Sequence, residues 1–447
     1  MKLRSFAFVL LACPAALADH REDLCERLLG LAEANPRLEL ERKDWEQKDL
    51  TFVQGFFTVP EDRSADAEPP EEGGRELRIG MVILPARADA PQADPVWILH
   101  GGPGAGAIAF FRRQVDGWLR DDRDVILVDQ RGTGSSNALT VHEPGTDADL
   151  QSYFTSYFEP RRYLDALPGI LERADPWLYT TNNAVDDFDE LREALGYDRV
   201  NLRGGSYGTR SAQIWMRRHP DSIRTATLQG VQSISYLNPL PHARMAQRSL
   251  DLIFDEVEAD ERYAAAFPDL RANFWSTLAR FDEGPVEVTL PHPKTGEPTA
   301  IRFDRNAFAE AVRLQLYSIP ANRHLPRLLQ QAHAGDFTEL AQARLDSERS
   351  LRGAIAWGTL LAVTGSEDAP RMDRDTIEAW CEGTFLGDTR VTEQLAAIDI
   401  WPCGEVADDF GAPITADVPT LLWSGTHDPS TAPQWADELD ATLPRSL

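Results

Sequence analysis

At 447 residues, 42% of them hydrophobic, the chain can bury a sizeable core and is long enough for one large domain with an insertion, or for two domains. Its 72 acidic against 45 basic residues give a formal net charge of −27, a surface that repels phosphate backbones and excludes nucleic acid as a partner. Past the amino terminus no stretch approaches the ~18 apolar residues of a membrane-spanning helix, so no stable span is expected.

The chain opens on a basic pair, Lys2 and Arg4, followed by the apolar run Ser5 to Ala12 and then Ala16-Leu17-Ala18. That order predicts a signal peptide over residues 1–18, a mature chain from Asp19, and export to the periplasm or beyond. Lipid attachment at Cys13 is the less favoured alternative, because Pro14 follows it directly and a clean cleavage site lies downstream. Cys25, Cys381 and Cys403 stay in the mature chain. Oxidising conditions favour one disulfide, for which Cys381 and Cys403, near each other in sequence, are the first choice. No further Cys or His pair accompanies them, so their spacing is not that of a metal site.

Residues 19–50 are charged with a helical pattern and predict an amino-terminal appendage. From Thr51 the pattern changes. "TFVQGFFTVPEDR" predicts a strand closed by a proline turn, and "LRIGMVILPA" a second strand. "DPVWILHGGPGAG" and "RDVILVDQRGTGSS" each predict a buried strand ending in a glycine-rich loop. "AVDDFDELREALG" predicts an amphipathic helix ending at Gly196. "RVNLRGGSYG" predicts a strand running into a turn, "TRSAQIWMRRHP" the helix after it, and "IRTATLQGV" a further strand. Strands that are apolar throughout and alternate with helices indicate an α/β fold whose mostly parallel sheet is covered on both faces. Residues 51–236 are the first part of that core. Residues 237–401 read as a mostly helical insertion, and "VPTLLWSGTHDPST" returns to the strand-then-loop form within 402–447, the second part of the core.

Ser206 stands in Gly204-Gly205-Ser206-Tyr207-Gly208, a G-x-S-x-G turn between a strand and a helix. Such a turn lifts the hydroxyl above the carboxyl end of the sheet, and the helix behind it offers N–H groups to a developing oxyanion. "HGGPG", His100 to Gly104, lets backbone approach a substrate carbonyl closely, so the Gly102 and Tyr207 N–H groups are the expected oxyanion donors. The loop has neither G-x-G-x-x-G nor a Walker lysine, which argues against phosphate binding. Arg131 reads as a structural ion-pair donor in preference to a substrate contact. Asp428, just after an apolar strand and after the serine in chain order, fits the carboxylate of a Ser…Asp…His series.

"HGGPG", "DQRGTGSS", "GGSYGT" and "SGTHDPST", in this order, resemble the proline iminopeptidase and tripeptidyl aminopeptidase family of α/β-hydrolases. The resemblance runs from about Thr51 onward and includes "GFFTVPEDR" and "FLGDTRV". It implies a serine exopeptidase that acts on peptides with a free N-terminus, needs no metal or cofactor, and carries a helical cap whose acidic residues hold the substrate amine. Glu367 and Asp368 in "VTGSEDAP" are the candidates for that amine site. The resemblance also implies a cap disulfide that is absent here, with Gly365 at one cysteine position and Ile398, in "LAAIDIWP", at the other; a Cys381–Cys403 link would then be a different one. The family's histidine follows its aspartate, and no histidine follows Asp428 in this sequence. The expectation is therefore an α/β-hydrolase whose carboxyl-terminal strand, histidine and helix lie outside these residues. The alternatives are a small-molecule esterase of the same fold, or a peptide-binding protein without catalytic activity. Oligomeric state is not legible.

Overall fold

Short runs such as Val96–Leu99 (VWIL) and Val125–Val128 (VILV) are buried at every position, the pattern of strands covered on both faces. In the computed structural model, which describes residues 20–64, 73–141 and 147–447, they sit at the centre of one eight-stranded sheet. The strands are β1 (Leu38–Trp45), β2 (Leu50–Pro60), β3 (Glu76–Leu84), β4 (Val96–Leu99), β5 (Val125–Val128), β6 (Val200–Gly205), β7 (Ile223–Gln229), β8 (Val286–Pro291), β9 (Pro298–Phe303) and β10 (Thr420–Trp423). The sheet runs β1-β2-β3-β5-β4-β6-β7-β10, and β8 pairs only with β9. Pairing is antiparallel from β1 as far as β5 and parallel from β5 through β4, β6 and β7 to β10. The chain leaves β4 for β5 on one side, and the next strand, β6, lies on the other. Loops at the carboxyl ends of β4 and β6 therefore flank a crevice, the usual ligand position in such sheets.

The described part of the expected amino-terminal appendage, residues 20–50, belongs to the core. The helix His20–Ala34 buries Leu24, Cys25 and Leu28 in the main core, and β1 extends the sheet through β2. The strand in LELERKDW is hard to read because it is an edge strand, with charged side chains on its open face and only Leu38 buried. The signal-peptide expectation for residues 1–18 lies outside the described residues, as does Cys13. No helix of the described residues is long and apolar enough to cross a membrane.

The insertion after Leu237 is mostly helical, from His242–Ala259 to Thr389–Ile398, but it also contains the β8–β9 hairpin. A second segment, Asp147 to Leu178, packs onto it. Gln151 donates to the Arg302 carbonyl at 3.0 Å, Arg344 donates to the Tyr153 carbonyl at 3.1 Å, and Arg349 pairs with Asp147 at 2.9 Å. The cap is thus built from two stretches of chain, whereas the sequence pattern predicts only the one after Leu237.

Arg131 has the structural role expected of it. It is fully buried, forms a two-pronged pair with Asp187 at 2.7 and 2.8 Å, and donates to the Glu61 and Leu178 carbonyls. This ties the loop after β5 to the end of β2 and to the helix Thr181–Ala194.

The expected Cys381–Cys403 disulfide is not formed, and Cys25, Cys381 and Cys403 are all free thiols. Cys381 ends the short helix Ile377–Cys381, whereas the Cys403 sulfur lies directly against Gly365, where an added Cβ would overlap it, with Ile398 close by. Cys403, and not Ile398, is thus the residue that faces Gly365 most closely. Burial pushes its thiol up to about 12.

On the far side of the sheet, β10 leaves Leu421 and Trp423 about half exposed, at 46% and 56%. Arg445 to Leu447 pair along it: Thr420 N–H donates to the Arg445 carbonyl and Leu447 N–H to the Thr420 carbonyl, each at 3.0 Å.

Candidate active site

β6 ends at Gly205, and Ser206 takes φ +53° and ψ −125° before the helix Tyr207–Arg218 begins. A serine at positive φ is strained, by about 1–3 kcal/mol, and persists only where its surroundings enforce it. The enforcement is visible in the glycines. A Cβ on Gly208 would overlap the Leu99 carbonyl group of β4, and one on Gly204 would meet the Gly208 carbonyl oxygen at 2.7 Å. Strand and helix therefore approach more closely than any side chain permits. Gly205 faces open space. The Ser206 N–H donates to the Gln229 carbonyl at the end of β7 at 3.0 Å, which anchors the turn.

The loop after β4 lies over the serine. A Cβ on Gly101 would stand 3.0 Å from the Ser206 Cβ and 3.5 Å from its Oγ. Gly102, at φ +122°, has the left-handed conformation that glycine alone adopts freely. The loop is fixed by Asp129 at the end of β5. One Asp129 carboxylate oxygen accepts from the Ile108 N–H at 2.9 Å, and the other from the Ser135 N–H at 2.8 Å and its hydroxyl at 3.0 Å. Asp129 thus clamps the two glycine-rich loops together. In the motif "DQRGTGSS" the signal for this clamp is Asp129 itself, a carboxylate at the end of a buried strand.

Tyr207 is fully buried, and its phenol is held by Thr181 Oγ1 at 2.7 Å and by the Gln130 amide, which donates to it at 3.2 Å. Burial pushes the phenol above its ordinary range, so it stays protonated.

Asp428 lies in the loop after β10. One of its carboxylate oxygens accepts from the Ser430 and Thr431 N–H groups at 2.9 and 2.7 Å, and the other from the Thr431 hydroxyl at 2.9 Å. Gly230, at φ +61° just past β7, lets the two loops close up: a Cβ there would stand 3.4 Å from Asp428 Oδ2. Ser206 and Asp428, far apart in sequence, line one cavity of about 760 Å³ together with Gly101, Gly205, Trp423 and the cap residues Tyr317 and Ile319.

Two histidines line the same cavity. His100 stacks on Phe110 with ring centres 3.9 Å apart, and burial, aided by Arg113, lowers its imidazole to about 4. His427 turns away from Asp428: its Nε2 is 3.0 Å from Glu256, and its Nδ1 is 3.1 Å from the Thr426 hydroxyl. Among the described residues no histidine is hydrogen-bonded to Ser206 or Asp428.

Glu367 and Asp368 are not placed as the amine site expected of them. Both are fully buried and neither lines the Ser206 cavity. Arg210 of the nucleophile helix lies 2.8 Å from Asp368 and 3.7 Å from Glu367, and Glu367 also accepts from the Thr181 N–H at 2.6 Å. The physical reason is charge pairing: a guanidinium buried beneath the turn needs carboxylates, and these two supply them. Burial pushes the Glu367 carboxyl up to about 7 against the pull of Arg210.

That placement has a sign. A carboxyl at about 7 when folded, against an ordinary 4.5, binds more protons in the folded than in the unfolded chain across that window. Its contribution is therefore fully present below about pH 4.5 and is lost as pH rises through about 7. Glu367→Gln should remove this part of the pH dependence while still accepting from Thr181. Urea unfolding midpoints between pH 5 and 8 check it: the wild type should lose stability relative to the variant as pH rises. Parallel profiles would mean that burial does not hold the proton there.

The α/β-hydrolase fold profile matches residues 94–447. The chain belongs to the α/β-hydrolase family. The hydrolase is 24% identical over 428 residues to the serine protease Hip1 of Mycobacterium tuberculosis (strain ATCC 25618 / H37Rv), covering 84% of this chain and 76% of that protein. It is 29% identical over 198 residues to the proline iminopeptidase of Xylella fastidiosa (strain Temecula1 / ATCC 700964), covering 43% of this chain and 50% of that one. Among solved structures it is similar to proline iminopeptidase of Mycobacterium smegmatis, with a TM-score of 0.40, 17% identity, and 88% of each chain covered.

Proposed function

We propose that the hydrolase is an exported serine exopeptidase that cleaves peptides near a free N-terminus through an acyl-enzyme. The observation that carries this reading is Ser206, at positive φ in a G-x-S-x-G turn, sharing one capped cavity with the Asp428 carboxylate. Relatives named as a serine protease and as proline iminopeptidases support peptides as the substrate class. Export rests on the signal-like residues 1–18.

In this reading the Ser206 Oγ attacks the scissile carbonyl, and its proton passes to a base. The Gly102 and Tyr207 N–H groups receive the oxyanion. The amine then leaves with a proton, and water releases the acyl group from Ser206. Asp428 serves as the acceptor that orients an imidazole base, the usual role of a triad carboxylate. His100 stacks on Phe110 and His427 lies against Glu256 instead, and among the described residues the Asp428 carboxylate is hydrogen-bonded within its own loop.

The test is a matched substrate set: tripeptide 4-nitroanilides with free and with acetylated N-termini, and 4-nitrophenyl esters of short acids. Free peptides should be turned over with a kcat/KM at least about 100-fold above their acetylated forms. Acetylation removes the ammonium and leaves a carboxylate that would receive it unpaired, which costs several kcal/mol and sets that scale. Equal turnover of both peptide forms, or cleavage of the esters alone, rejects the exopeptidase in favour of an esterase.

A further inference from the structure

A second cavity, of about 550 Å³, is lined in part by His427. It shares Ile319, Asn322 and His427 with the cavity that holds Ser206, so the two adjoin at one imidazole. Its apolar lining comes from the cap, Ile253 and Val257 on the helix His242–Ala259, Phe267, and Pro326 on the helix Ile319–His333, and the charged Glu256, Asp260 and Arg323 line it as well. Some of the large apolar side chains that the protein leaves exposed line these two cavities. Tyr263 is 54% exposed, Tyr317 52% and Ile319 70%; Tyr263 lines the second cavity, Tyr317 the first, and Ile319 both. Apolar side chains left in water around one concave site mark a place where an apolar ligand group is received.

We infer that this second cavity is a side-chain subsite of the hydrolase, taking a bulky apolar or aromatic side chain of the peptide whose scissile bond lies at Ser206. The inference rests on the peptidase reading of the Ser206 cavity. The three shared residues place the second cavity next to the scissile bond's own. The apolar wall supplies the selectivity, since even a single methylene in such a pocket is worth about tenfold or more. The contact between His427 and Glu256 forms the polar rim between them.

Binding is measured without turnover by calorimetric titration of the Ser206→Ala protein with Ala-Ala-Ala-amide and its three single Ala-to-Phe replacements. One of the three Phe peptides should bind at least tenfold more tightly than the all-alanine peptide. Val257→Trp, which fills the cavity, should narrow that ratio to under twofold. Tyr263→Asp, on an exposed side chain that folding does not need, should cut it at least threefold. The inference is overturned if all four peptides bind within twofold of one another, if none binds detectably, or if the preference survives both substitutions. Failure of the peptidase reading has a different outcome: the Phe preference holds in binding, yet the Ser206 protein cleaves none of the corresponding 4-nitroanilides.

Discussion

With an imidazole base paired to Asp428, as the proposed mechanism requires, Ser206→Ala is expected to lower kcat for peptide hydrolysis on the order of a million-fold, with the fold retained. The magnitude follows from the mechanism: removing the nucleophile removes the covalent path, and what survives is the contribution of the oxyanion donors and binding. Retention of the fold follows from the geometry. The turn is enforced by Gly204 and Gly208 packing against backbone and by the Ser206 N–H bond to Gln229, none of which involves the serine hydroxyl. Alanine at φ +53° carries the same strain as serine. Steady-state kinetics with a free-amine tripeptide 4-nitroanilide, beside thermal unfolding, separate the two effects. Activity within tenfold of wild type would remove Ser206 from the reaction.

With an imidazole base oriented by Asp428, as the proposed mechanism requires, Asp428→Asn is expected to cost about ten-thousand-fold in kcat with KM little changed. An amide can still accept one hydrogen bond from the Ser430 and Thr431 N–H groups, so the loop is preserved. It presents a donor as well as an acceptor to an imidazole and carries no charge to stabilise imidazolium, a substitution that in a triad enforces the wrong tautomer. A loss below about tenfold would assign Asp428 to loop structure alone, as an Asp-Pro turn.

The elements nearest the site were the most legible. A run such as VILV can only be a buried strand, and glycine, serine and glycine between a strand and a helix leave few geometries open, so β4, β5, β6 and the nucleophile turn lie where the residues place them. β1 was not legible because an edge strand keeps charged residues on its open face, and alternation in LELERKDW is masked by them. The Asp147–Leu178 part of the cap was missed for another reason. It belongs to the cap only through contacts with residues such as Arg302, Arg344 and Arg349, far away in the chain. Glu367 and Asp368 show the same limit inside the site. Two adjacent acids in a cap segment look available to a substrate amine until Arg210 is found between them. Asp129 was legible in kind, a carboxylate ending a buried strand, but not in function, because its partners Ile108 and Ser135 sit on different loops.

The central claim is that Ser206 is the nucleophile of a cavity that holds peptides by their free end. Labelling with a fluorophosphonate, followed by peptide mapping, tests it directly, with and without a competing tripeptide. The account predicts a single adduct on Ser206, suppressed by the tripeptide with a free N-terminus and not by its acetylated form. An adduct on another residue, no adduct, or equal protection by both peptides would contradict it.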